Sequence, residues 1–400
     1  RNKPRIRFKG FTEDWEQRKL GDIATFSKGN GYSKSDLGSS GDPIILYGRL
    51  YTNYETTISN VDTFVELKDK SIISQGGEVI VPASGETAED ISRASVVKNQ
   101  GIIIGGDLNV IKANYLLDPT FLALTISNGE QQKELSKRAQ GKSVVHLHNS
   151  DLQEVNLTFP LLNEQKEIST LFEKMDNIIT LHQRKLEKLK LAKKALLQKL
   201  FPKNGSKFPE LRFKGFADAW EQRKANYIFN SVTDKGYPEL PVLSASQELG
   251  MVYRDQNGID IQHDKKNETS YKRVLPGQFV IHLRSFQGGF AYSEVEGITS
   301  PAYTVMSFKN SSEQYGLFWK HVFKSETFIK RLETITYGIR DGRSISFSDF
   351  KSLILQYPSF SEQKLIGGSI EIIESGITLH QRKLEHLKLQ KKALLQQMFV

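Results

Sequence analysis

The sequence contains no cysteine. This absence excludes disulfide bonds, thiolate metal sites and a cysteine nucleophile, and it suits a reducing compartment. No apolar run approaches the roughly 20 residues that cross a bilayer, and the first residues do not resemble a signal peptide. These features lead us to expect a cytoplasmic protein without a membrane span.

Motifs for catalysis on DNA are also missing. A methyltransferase that modifies the amino group of adenine or cytosine needs a short loop of Asp, Asn or Ser followed by Pro-Pro and an aromatic residue, and the sequence has no such tetrapeptide. The glycine segments at 29–31 and 105–109 lack the spacing of a nucleotide-binding loop. Ser136 stands where a phosphate loop ending at residues 140–143 would need its first glycine. We expect no catalytic activity and no bound cofactor.

A metal site is not expected either. His146 and His148 would lie on one face of a strand, a spacing that two metal ligands can have, but no third ligand is close in the sequence. DNA contact or an ordinary surface position is the preferred interpretation of this pair.

Length and positive charge are what the sequence does have. The chain has 400 residues, enough for two or three domains. It carries 55 Lys and Arg against 46 Asp and Glu, a formal net charge of +9. This balance favours a polyanionic partner, although many basic proteins bind no nucleic acid.

An internal duplication organises the sequence. The segment RFKGFTEDWEQRK (Arg7–Lys19) returns as RFKGFADAWEQRK (Arg212–Lys224), and we call it the WEQRK motif. The segment LHQRKLEKLK (Leu181–Lys190) returns as LHQRKLEHLK (Leu379–Lys388). FPLLNEQK and YPSFSEQK precede these two ten-residue segments, which we predict to be helical. The stretches between the repeats differ in sequence, so we interpret them as one fold adapted to two ligands, with drift after duplication as the alternative.

Each repeated helix carries the apolar pattern of a coiled-coil seam. After Pro160 and Pro358, Asn163 and Ser361 are predicted to cap the two helices. Apolar residues then recur at alternating spacings of three and four. The predicted seam consists of Ile168, Leu171, Met175, Ile178, Leu186 and Leu189 in the first helix and Ile366, Ile370, Ile373, Ile377, Leu384 and Leu387 in the second.

Polar residues interrupt this seam at the same levels in both copies. His182 and Lys193 in the first helix correspond to His380 and Lys391 in the second, and we interpret them as setting the register. Each helix is about 55 Å long at about 1.5 Å per residue. The linker after the first helix extends only about 40 Å, so the second helix must run back along the first. The sequence therefore predicts an antiparallel pair with pseudo-two-fold symmetry.

The ordered pairs of motifs resemble the specificity subunits of Type I restriction–modification enzymes, in particular staphylococcal-like Gram-positive members, over essentially the whole chain. The resemblance implies an α+β protein with two mixed α/β target recognition domains held apart by an antiparallel two-helix coiled coil. The implied segments are 1–160 (first recognition domain with its WEQRK motif), 161–201 (first helix), 202–358 (linker, second WEQRK motif and second recognition domain) and 359–400 (second helix).

The resemblance also implies a function. The chain would be a non-catalytic, sequence-specific DNA-recognition subunit whose domains each read one half of a bipartite site in the major groove. The coiled coil would set the spacer and dock two methyltransferase subunits, which recruit two restriction and translocation subunits. S-adenosylmethionine, ATP and Mg would be bound by those partners. Two alternatives remain open at this point: a self-sufficient bipartite transcription regulator and a structural coiled-coil scaffold.

Base reading needs hydrogen-bonding side chains on loops that enter a groove. Trp15 and Trp220 recur with the WEQRK motif and are expected to be structural, because both copies keep them while the ligands should differ. The predicted DNA contacts lie next to glycine or small residues, which allow a close approach. They are Arg49, Ser84, Thr87, Arg93, Lys142 and His146 in the first domain and Ser246, Gln247, Arg284, Gln287, Arg340 and Arg343 in the second.

Overall fold

The structure, a computed structural model, describes residues 3–139, 141, 144–203, 205–246, 249–257, 265–282, 289–333 and 345–399. Internal contacts divide the chain into two compact units. Unit 1 consists of Arg1–Arg184 with Arg382–Val400, and unit 2 of Lys185–Gln381. The division cuts both long helices, so each unit holds one globular domain and half of each helix.

Unit 1 is a mixed α/β structure. A five-stranded sheet has the order β2-β11-β7-β9-β4, and a four-stranded sheet has the order β5-β3-β10-β6. Short antiparallel pairs join β1 to β13 and β8 to β12. The elements are β1 (Glu16–Lys19), α1 (Leu20–Ile23), β2 (Ala24–Lys28), β3 (Asp42–Ile45), α2 (Arg49–Thr52), β4 (Thr57–Ile58), β5 (Phe64–Val65), β6 (Ile72–Ile73), β7 (Glu78–Pro82), β8 (Ser84–Gly85), α3 (Ala88–Ile91), β9 (Ser95–Val97), β10 (Ile103–Ile104), β11 (Leu108–Ala113), α4 (Pro119–Ile126), α5 (Gly129–Arg138), β12 (Val145–His146), α6 (Asn149–Gln153) and β13 (Asn156–Phe159), followed by the long helix α7 (Leu162–Lys199).

The core of unit 1 lies between the five-stranded sheet and the long helices. Strand β7 is buried at every residue, as its apolar sequence EVIVP predicts for a central strand. Helix α4 begins where Asp118 caps the backbone N–H of Phe121 at 2.9 Å and Pro119 occupies the first turn. Phe121 packs against Trp15 and Phe399, so the core joins the WEQRK motif, the domain and the end of the second long helix.

Unit 2 has the same kind of architecture with shorter sheets. A four-stranded sheet has the order β15-β22-β19-β20, and two-stranded pairs join β14 to β23, β16 to β17 and β18 to β21. The elements are β14 (Glu221–Lys224), α8 (Ala225–Ile228), β15 (Phe229–Val232), β16 (Leu243–Ser246), β17 (Gly250–Tyr253), β18 (Lys272–Val274), β19 (Phe279–Ile281), β20 (Phe290–Tyr292), β21 (Gly297–Thr299), β22 (Thr304–Phe308), α9 (Gly316–Val322), α10 (Glu326–Glu333), α11 (Phe347–Ser352) and β23 (Ile354–Tyr357), followed by the long helix α12 (Phe360–Met398).

Aromatic side chains dominate the core of unit 2. Phe229 contacts Phe279, Trp319 and Phe350 with ring centroids 6.1, 5.2 and 5.7 Å apart. The core of unit 1 is mainly aliphatic by comparison. At Gly367 an added Cβ would lie 2.7 Å from the backbone nitrogen of Phe318, so only glycine lets α12 approach α9 this closely.

The long helices begin slightly before the predicted caps. Helix α7 starts at Leu162 and α12 at Phe360. Asn163 and Ser361 therefore lie in the first turn and do not cap the helices, because the helical hydrogen bonds already begin at the residues after Pro160 and Pro358. In the first turns, the backbone N–H of Gln165 bonds to the carbonyl of Leu161, and that of Gln363 to the carbonyl of Ser359.

The buried stripe of the first helix differs from the predicted seam at two levels. Phe172 is fully buried and Ile179 is 9% exposed, whereas Ile178 is 44% exposed and Leu171 is only partly buried. The difference arises because this half of α7 packs on the domain as well as on the other helix, which turns the buried face by one residue. The remaining predicted positions are buried or half-buried: Ile168, Met175, Leu186 and Leu189, with Ile366, Ile370, Ile373, Ile377, Leu384 and Leu387 in α12.

Within each unit the two half-helices pair antiparallel. In unit 1, Asp176 contacts Lys391. Phe172, which precedes Asp176, packs on Phe399, which follows Lys391, so the two helices run in opposite directions. In unit 2, Lys193 lies 2.7 Å from Glu374. An added Cβ at Gly376, which follows Glu374, would lie 3.3 Å from the side chain of Leu189, one turn before Lys193. The expected antiparallel pairing is confirmed in both units, and the lysines that interrupt the seam pair with acids across it.

The segment that enters each WEQRK motif contacts the end of a long helix in the same way. In unit 2 the backbone N–H of Leu211 donates to the carbonyl of Lys199, near the end of α7. In unit 1 the N–H of Ile6 donates to the carbonyl of Gln397, near the end of α12. The same backbone contact therefore attaches the WEQRK motif to a helix end in both units.

Candidate nucleic-acid interface

Four of the predicted DNA contacts of unit 1 lie on neighbouring elements. Ser84 in β8 pairs with His146 in β12, Thr87 caps α3, and Arg93 follows α3. The side-chain oxygen of Thr87 accepts a hydrogen bond from the N–H of Asp90 at 3.0 Å, which satisfies one of the free donors at the helix start. We call Ser84, Thr87, Arg93 and His146 the β8–α3–β12 patch.

A glycine and a tyrosine hold this patch together. The hydroxyl of Tyr51 donates to the carbonyl of Ser84 at 2.9 Å. An added Cβ at Gly85 would lie 2.7 Å from that hydroxyl oxygen, so glycine permits the close contact. Burial raises the pKa of Tyr51 to about 12, which keeps the hydroxyl protonated as a donor. The ring of Tyr47, which is 40% exposed, packs edge-on against Tyr51.

Two imidazole rings lie side by side at the edge of the patch. The rings of His146 and His148 are nearly parallel, at an angle of 2°, with centroids 6.3 Å apart. Both residues are exposed, and the backbone N–H of His148 donates a hydrogen bond to a carboxylate oxygen of Asp151 at 2.8 Å. Neutral imidazole offers one donor and one acceptor, which suits contacts to base edges.

Arg49 is already engaged inside the domain. Its guanidinium contacts Glu55 at 2.8 Å and Asp62 at 2.9 Å and donates to the carbonyl of Asn60, and its side chain is only 12% exposed. Contact with guanine would break these charge-assisted hydrogen bonds, each of which is stronger than a neutral one. The structure therefore gives Arg49 a structural role in the segment between α2 and β5.

Arg93 is also paired, although it is less buried. It contacts Asp90 at 2.7 Å and lies over the ring of Tyr54, with its side chain 30% exposed. Glu86 and Glu89 add negative charge to the same segment. The β8–α3–β12 patch thus offers hydroxyl, imidazole and backbone groups more readily than free cationic groups.

The predicted contacts of the second domain fall mostly outside the described residues. Ser246 ends β16, where its side-chain oxygen accepts from the N–H of Leu249 at 3.3 Å. The predicted contacts that lie outside the described residues are Gln247, Arg284, Gln287, Arg340 and Arg343 of the second domain and Lys142 of the first.

A buried ion pair that the sequence analysis did not predict is repeated in both units. Arg7 donates to both carboxylate oxygens of Glu164 at 2.6 and 2.7 Å, and Arg212 donates to both oxygens of Glu362 at 2.8 Å. Both glutamate side chains are 1% exposed. The hydrogen bond to each glutamate raises the pKa of the arginine above its ordinary value. The only signal for these pairs in the sequence was their place in motifs that occur twice.

The residue after each of these glutamates binds the domain. The side-chain amide of Gln165 accepts from the N–H of Asp118 and donates to the carbonyls of Leu116 and Pro160, each at 2.9 Å. Gln363 makes the same contacts with Tyr315, Glu313 and Pro358 at 2.9, 3.2 and 3.0 Å. We call Arg7, Glu164 and Gln165, with their counterparts Arg212, Glu362 and Gln363, the helix-start clamps.

The two repeated tryptophans complete the shared frame. Trp15 packs edge-on against Phe121 and Trp220 against Phe318, in both cases with ring centroids 5.7 Å apart. Both tryptophans are almost fully buried, at 2% and 3% exposure. Neither indole is therefore available for stacking on a base.

A cluster in unit 2 combines His321 with two acids. Its ring nitrogens lie 3.9 Å from Glu371 and 4.0 Å from Glu374, and burial lowers the pKa of His321 to about 4. Three such groups could hold a metal by distance. However, Lys320 lies 2.9 Å from Glu371 and Lys193 lies 2.7 Å from Glu374. A metal ion would have to displace both ammonium groups, so the cluster is better described as an ion-pair network.

Within the part of the chain that the structure describes, none of the helices has the length and apolar character of a membrane span.

Comparison with known proteins agrees with this architecture. Residues 12–191 match the Type I restriction modification DNA specificity domain family. The chain is 21% identical over 409 residues to the Type I restriction enzyme MjaVIII specificity subunit of Methanocaldococcus jannaschii, which covers 96% of this chain and 91% of the relative. It is also 21% identical over 406 residues to the putative type I restriction enzyme MjaX specificity subunit of the same organism, covering 96% and 92%.

A solved structure shares the fold over the full length. The S subunit of a Type I restriction–modification system from M. genitalium aligns with a TM-score of 0.63 at 14% identity, covering 100% of this chain and 99% of that one. The expected staphylococcal-like origin stays a prediction. The duplicated motifs, the match of residues 12–191 to the DNA specificity domain family and the full-length relatives together make the chain similar to the specificity subunits of Type I restriction–modification systems.

Proposed function

We propose that the chain is the sequence-specific DNA-recognition subunit of a Type I restriction–modification complex, in which the domain of each unit reads one half of a bipartite site. The observation that carries this proposal is a frame repeated contact for contact around two different domains. The clamps and the tryptophan contacts match, whereas the sheets and the cores differ. Two equal frames with different contents suit a protein that reads two different sequences.

The first half-site is read through the β8–α3–β12 patch. Its hydroxyl and imidazole groups can donate to and accept from base edges in the major groove. The acids beside it disfavour close phosphate contact there, so the phosphates are held by lysines elsewhere on a chain of net charge +9.

Exposed residues that are identical in both halves mark the docking surface for two copies of one partner. Leu181 and Leu379 are 67% and 51% exposed, and Leu191 and Leu389 are 66% and 67% exposed. The strands β1 and β14, both of sequence EQRK, are exposed at every residue. Burial does not require these identities, whereas a partner common to both units would. We assign this surface to two methyltransferase subunits.

Catalysis belongs to the partners in this proposal. The methyltransferase subunits bind S-adenosylmethionine, and two restriction and translocation subunits bind ATP and Mg. The isolated chain is expected to transfer no methyl group and to cut no DNA.

The two alternative functions predict different results. A transcription regulator would bind DNA without copurifying with methyltransferase subunits, and a scaffold would lack DNA affinity that falls with added salt.

Methylation mapping tests the proposal. The chain is expressed with its methyltransferase partner in a host that lacks other methylation, and the modified positions are read across the genome. We expect one split sequence with a constant spacer. A matched variant, His146→Ala, should weaken methylation of that site without altering copurification of the methyltransferase. Methyl transfer by the purified chain alone, or copurification without any methylated motif, would contradict the proposal.

A further inference from the structure

The helix-start clamps join three parts of each unit at one point. Arg7 is the first residue of the WEQRK motif and precedes strand β1, and Glu164 and Gln165 lie in the first turn of the long helix. Gln165 reaches the loop that precedes α4. Arg212, Glu362 and Gln363 join the same three parts in unit 2. The angle at which a domain stands on its helix therefore depends on these contacts.

The chemistry of the ion pair fixes an angle as well as a distance. An arginine fork donates two parallel hydrogen bonds to a carboxylate, which aligns the two planar groups. A lysine in its place would keep the charge but could rotate about a single contact. Arg7 and Arg212 each bind both oxygens of their glutamate, at 2.6 to 2.8 Å. The fork thus restrains rotation in a way that apolar packing does not.

Stability alone does not explain such a pair. Replacing a buried ion pair by well-packed apolar residues is often neutral or stabilising, because both charges lose their hydration on burial. Yet the same pair is present in both units, in otherwise divergent domains, with both glutamates 1% exposed. Geometry is the property that an apolar contact could not replace.

A small rotation at the clamp would matter at the DNA. A domain of about 150 residues has a radius of gyration of about 15 Å, so its far surface lies up to about 40 Å from an anchor at its edge. A turn of about 5° moves that surface by about 3 Å, close to the rise of about 3.4 Å per base pair. Restraint of this angle therefore decides whether a spacer one base pair too long is accepted.

We propose that Arg7–Glu164 and Arg212–Glu362 are positioning pairs that fix the angle of each recognition domain on its helix and thereby restrict the complex to one spacer length. This inference rests on the proposed function, because it concerns how a bipartite site is measured. It assigns no base contact to the four residues. The half-site sequences are read elsewhere and are unaffected by the clamp.

The test uses Arg212→Lys in the full chain assembled with its methyltransferase partner. Methylation rates are measured on duplexes that carry the mapped site with spacers varied in steps of one base pair. We expect the rate on adjacent spacers, relative to the best spacer, to rise at least about fivefold, while preference within each half-site stays unchanged. Arg273→Lys is the matched control, because Arg273 pairs with Glu296 in the same unit, away from the helix start and from the exposed EQRK strand. This control should keep the wild-type spacer profile.

Each other outcome has a defined meaning. If Arg212→Lys slows methylation equally on every spacer, the pair is only structural and the inference fails. If it keeps the wild-type profile at the wild-type rate, the inference also fails. Arg7→Lys repeats the test in unit 1, and failure of both variants to fold would overturn the claim that the fork serves geometry more than stability. A wild-type complex that methylates no split site would overturn the proposed function instead.

Discussion

The side-chain nitrogen of Lys193 lies 2.7 Å from a carboxylate oxygen of Glu374, and Lys391 contacts Asp176 at the corresponding place in unit 1. These four residues are repeat equivalents, because Asp176 corresponds to Glu374 and Lys193 to Lys391. Each lysine that interrupts the apolar seam therefore has an acid opposite it. Slippage of the helices by one turn would leave both lysines without these partners in a partly buried seam, which opposes a change of register.

Charge reversal tests this role of the pairs. Lys391→Asp should lower the free energy of unfolding by roughly 1–2 kcal/mol, because it places two carboxylates together in a partly buried seam. Adding Asp176→Lys should restore most of the loss. Urea unfolding followed by circular dichroism measures both effects. Lys190→Asp, at an exposed pair with Glu187 on the same face of one helix, is the control and should change stability by less than about 0.5 kcal/mol. A double variant no more stable than Lys391→Asp would contradict the pairing.

The helices are expected to act as the ruler for the spacer. Asp176 and Lys193 are 17 residues apart, as are Glu374 and Lys391. A heptad inserted after both Leu189 and Leu387 lengthens both intervals equally and preserves the seam phase and the ion pairs. The added length is about 10 Å, or roughly three base pairs. We expect methylation mapping to find the same half-sites with a longer spacer, or no activity because the twist no longer matches. Full activity at the original spacer would show that something other than the helices sets the distance.

The stability of unit 2 should depend on His321 in mild acid. The pKa of His321 falls to about 4 in the folded state from an ordinary value near 6.5, because burial disfavours the charged ring. Above pH 6.5 the ring is neutral in both the folded and the unfolded state. As the pH falls from about 6.5 towards 4, the unfolded chain takes up a proton that the folded chain does not, so the free energy of unfolding decreases. The loss amounts to at most roughly 3 kcal/mol.

The chain itself provides the variant that tests this dependence. Leu124 occupies the place in α4 that His321 occupies in α9, when the two helices are aligned on Phe121 and Phe318. His321→Leu should flatten the fall in stability between pH 6.5 and 4.5, measured by urea unfolding at a series of pH values. The exposed His386→Leu should leave the pH profile unchanged. An unaltered slope in His321→Leu would mean that another group, such as Glu374, whose pKa is lowered in the folded state, causes the acid sensitivity.

The two domains should be exchangeable one at a time. Replacing Leu20–Phe159 with the corresponding segment of a relative leaves Arg7, Glu164 and Gln165 in place to hold the new domain. We expect one half of the methylated sequence to change and the other half to stay the same. The Arg49 pairs with Glu55 and Asp62 move with the segment, so the new domain keeps its own internal contacts. A change in both half-sites would contradict independent reading.

Local patterns and repeats predicted much of this architecture. The alternating apolar spacing located the long helices, and in α12 the predicted positions lie on the buried or half-buried face. In α7 the prediction failed at Ile178 and missed the buried Phe172, because the domain packs on that half of the helix and the pattern carries no information about a second surface. The partners of Lys193 and Lys391 were not predicted, since they lie on the opposite helix, far away in the sequence.

The candidate site was less accessible to sequence reasoning. Arg49 has the residue type and the glycine neighbour expected of a guanine contact, yet carboxylates 6 and 13 residues away occupy it. The clamp was missed for the same reason, because Arg7 and Glu164 are 157 residues apart. Ser84 and His146 were both predicted, but their pairing in one short ladder depends on the folded sheet. Long-range pairing is what the sequence of a single chain conceals.

The division of the long helices between the units also dictates an order of assembly during synthesis. Unit 2 is one continuous stretch of chain, so it can complete its core as soon as its own residues have emerged. Unit 1 is interrupted by that stretch, and its core includes Met398 and Phe399, with Phe399 packed against Phe121. At roughly 5–20 residues per second, translating the intervening segment of about 200 residues takes roughly 10–40 s. For that time the amino-terminal domain stands with part of its apolar core uncovered, and the domain made first is the last to be finished.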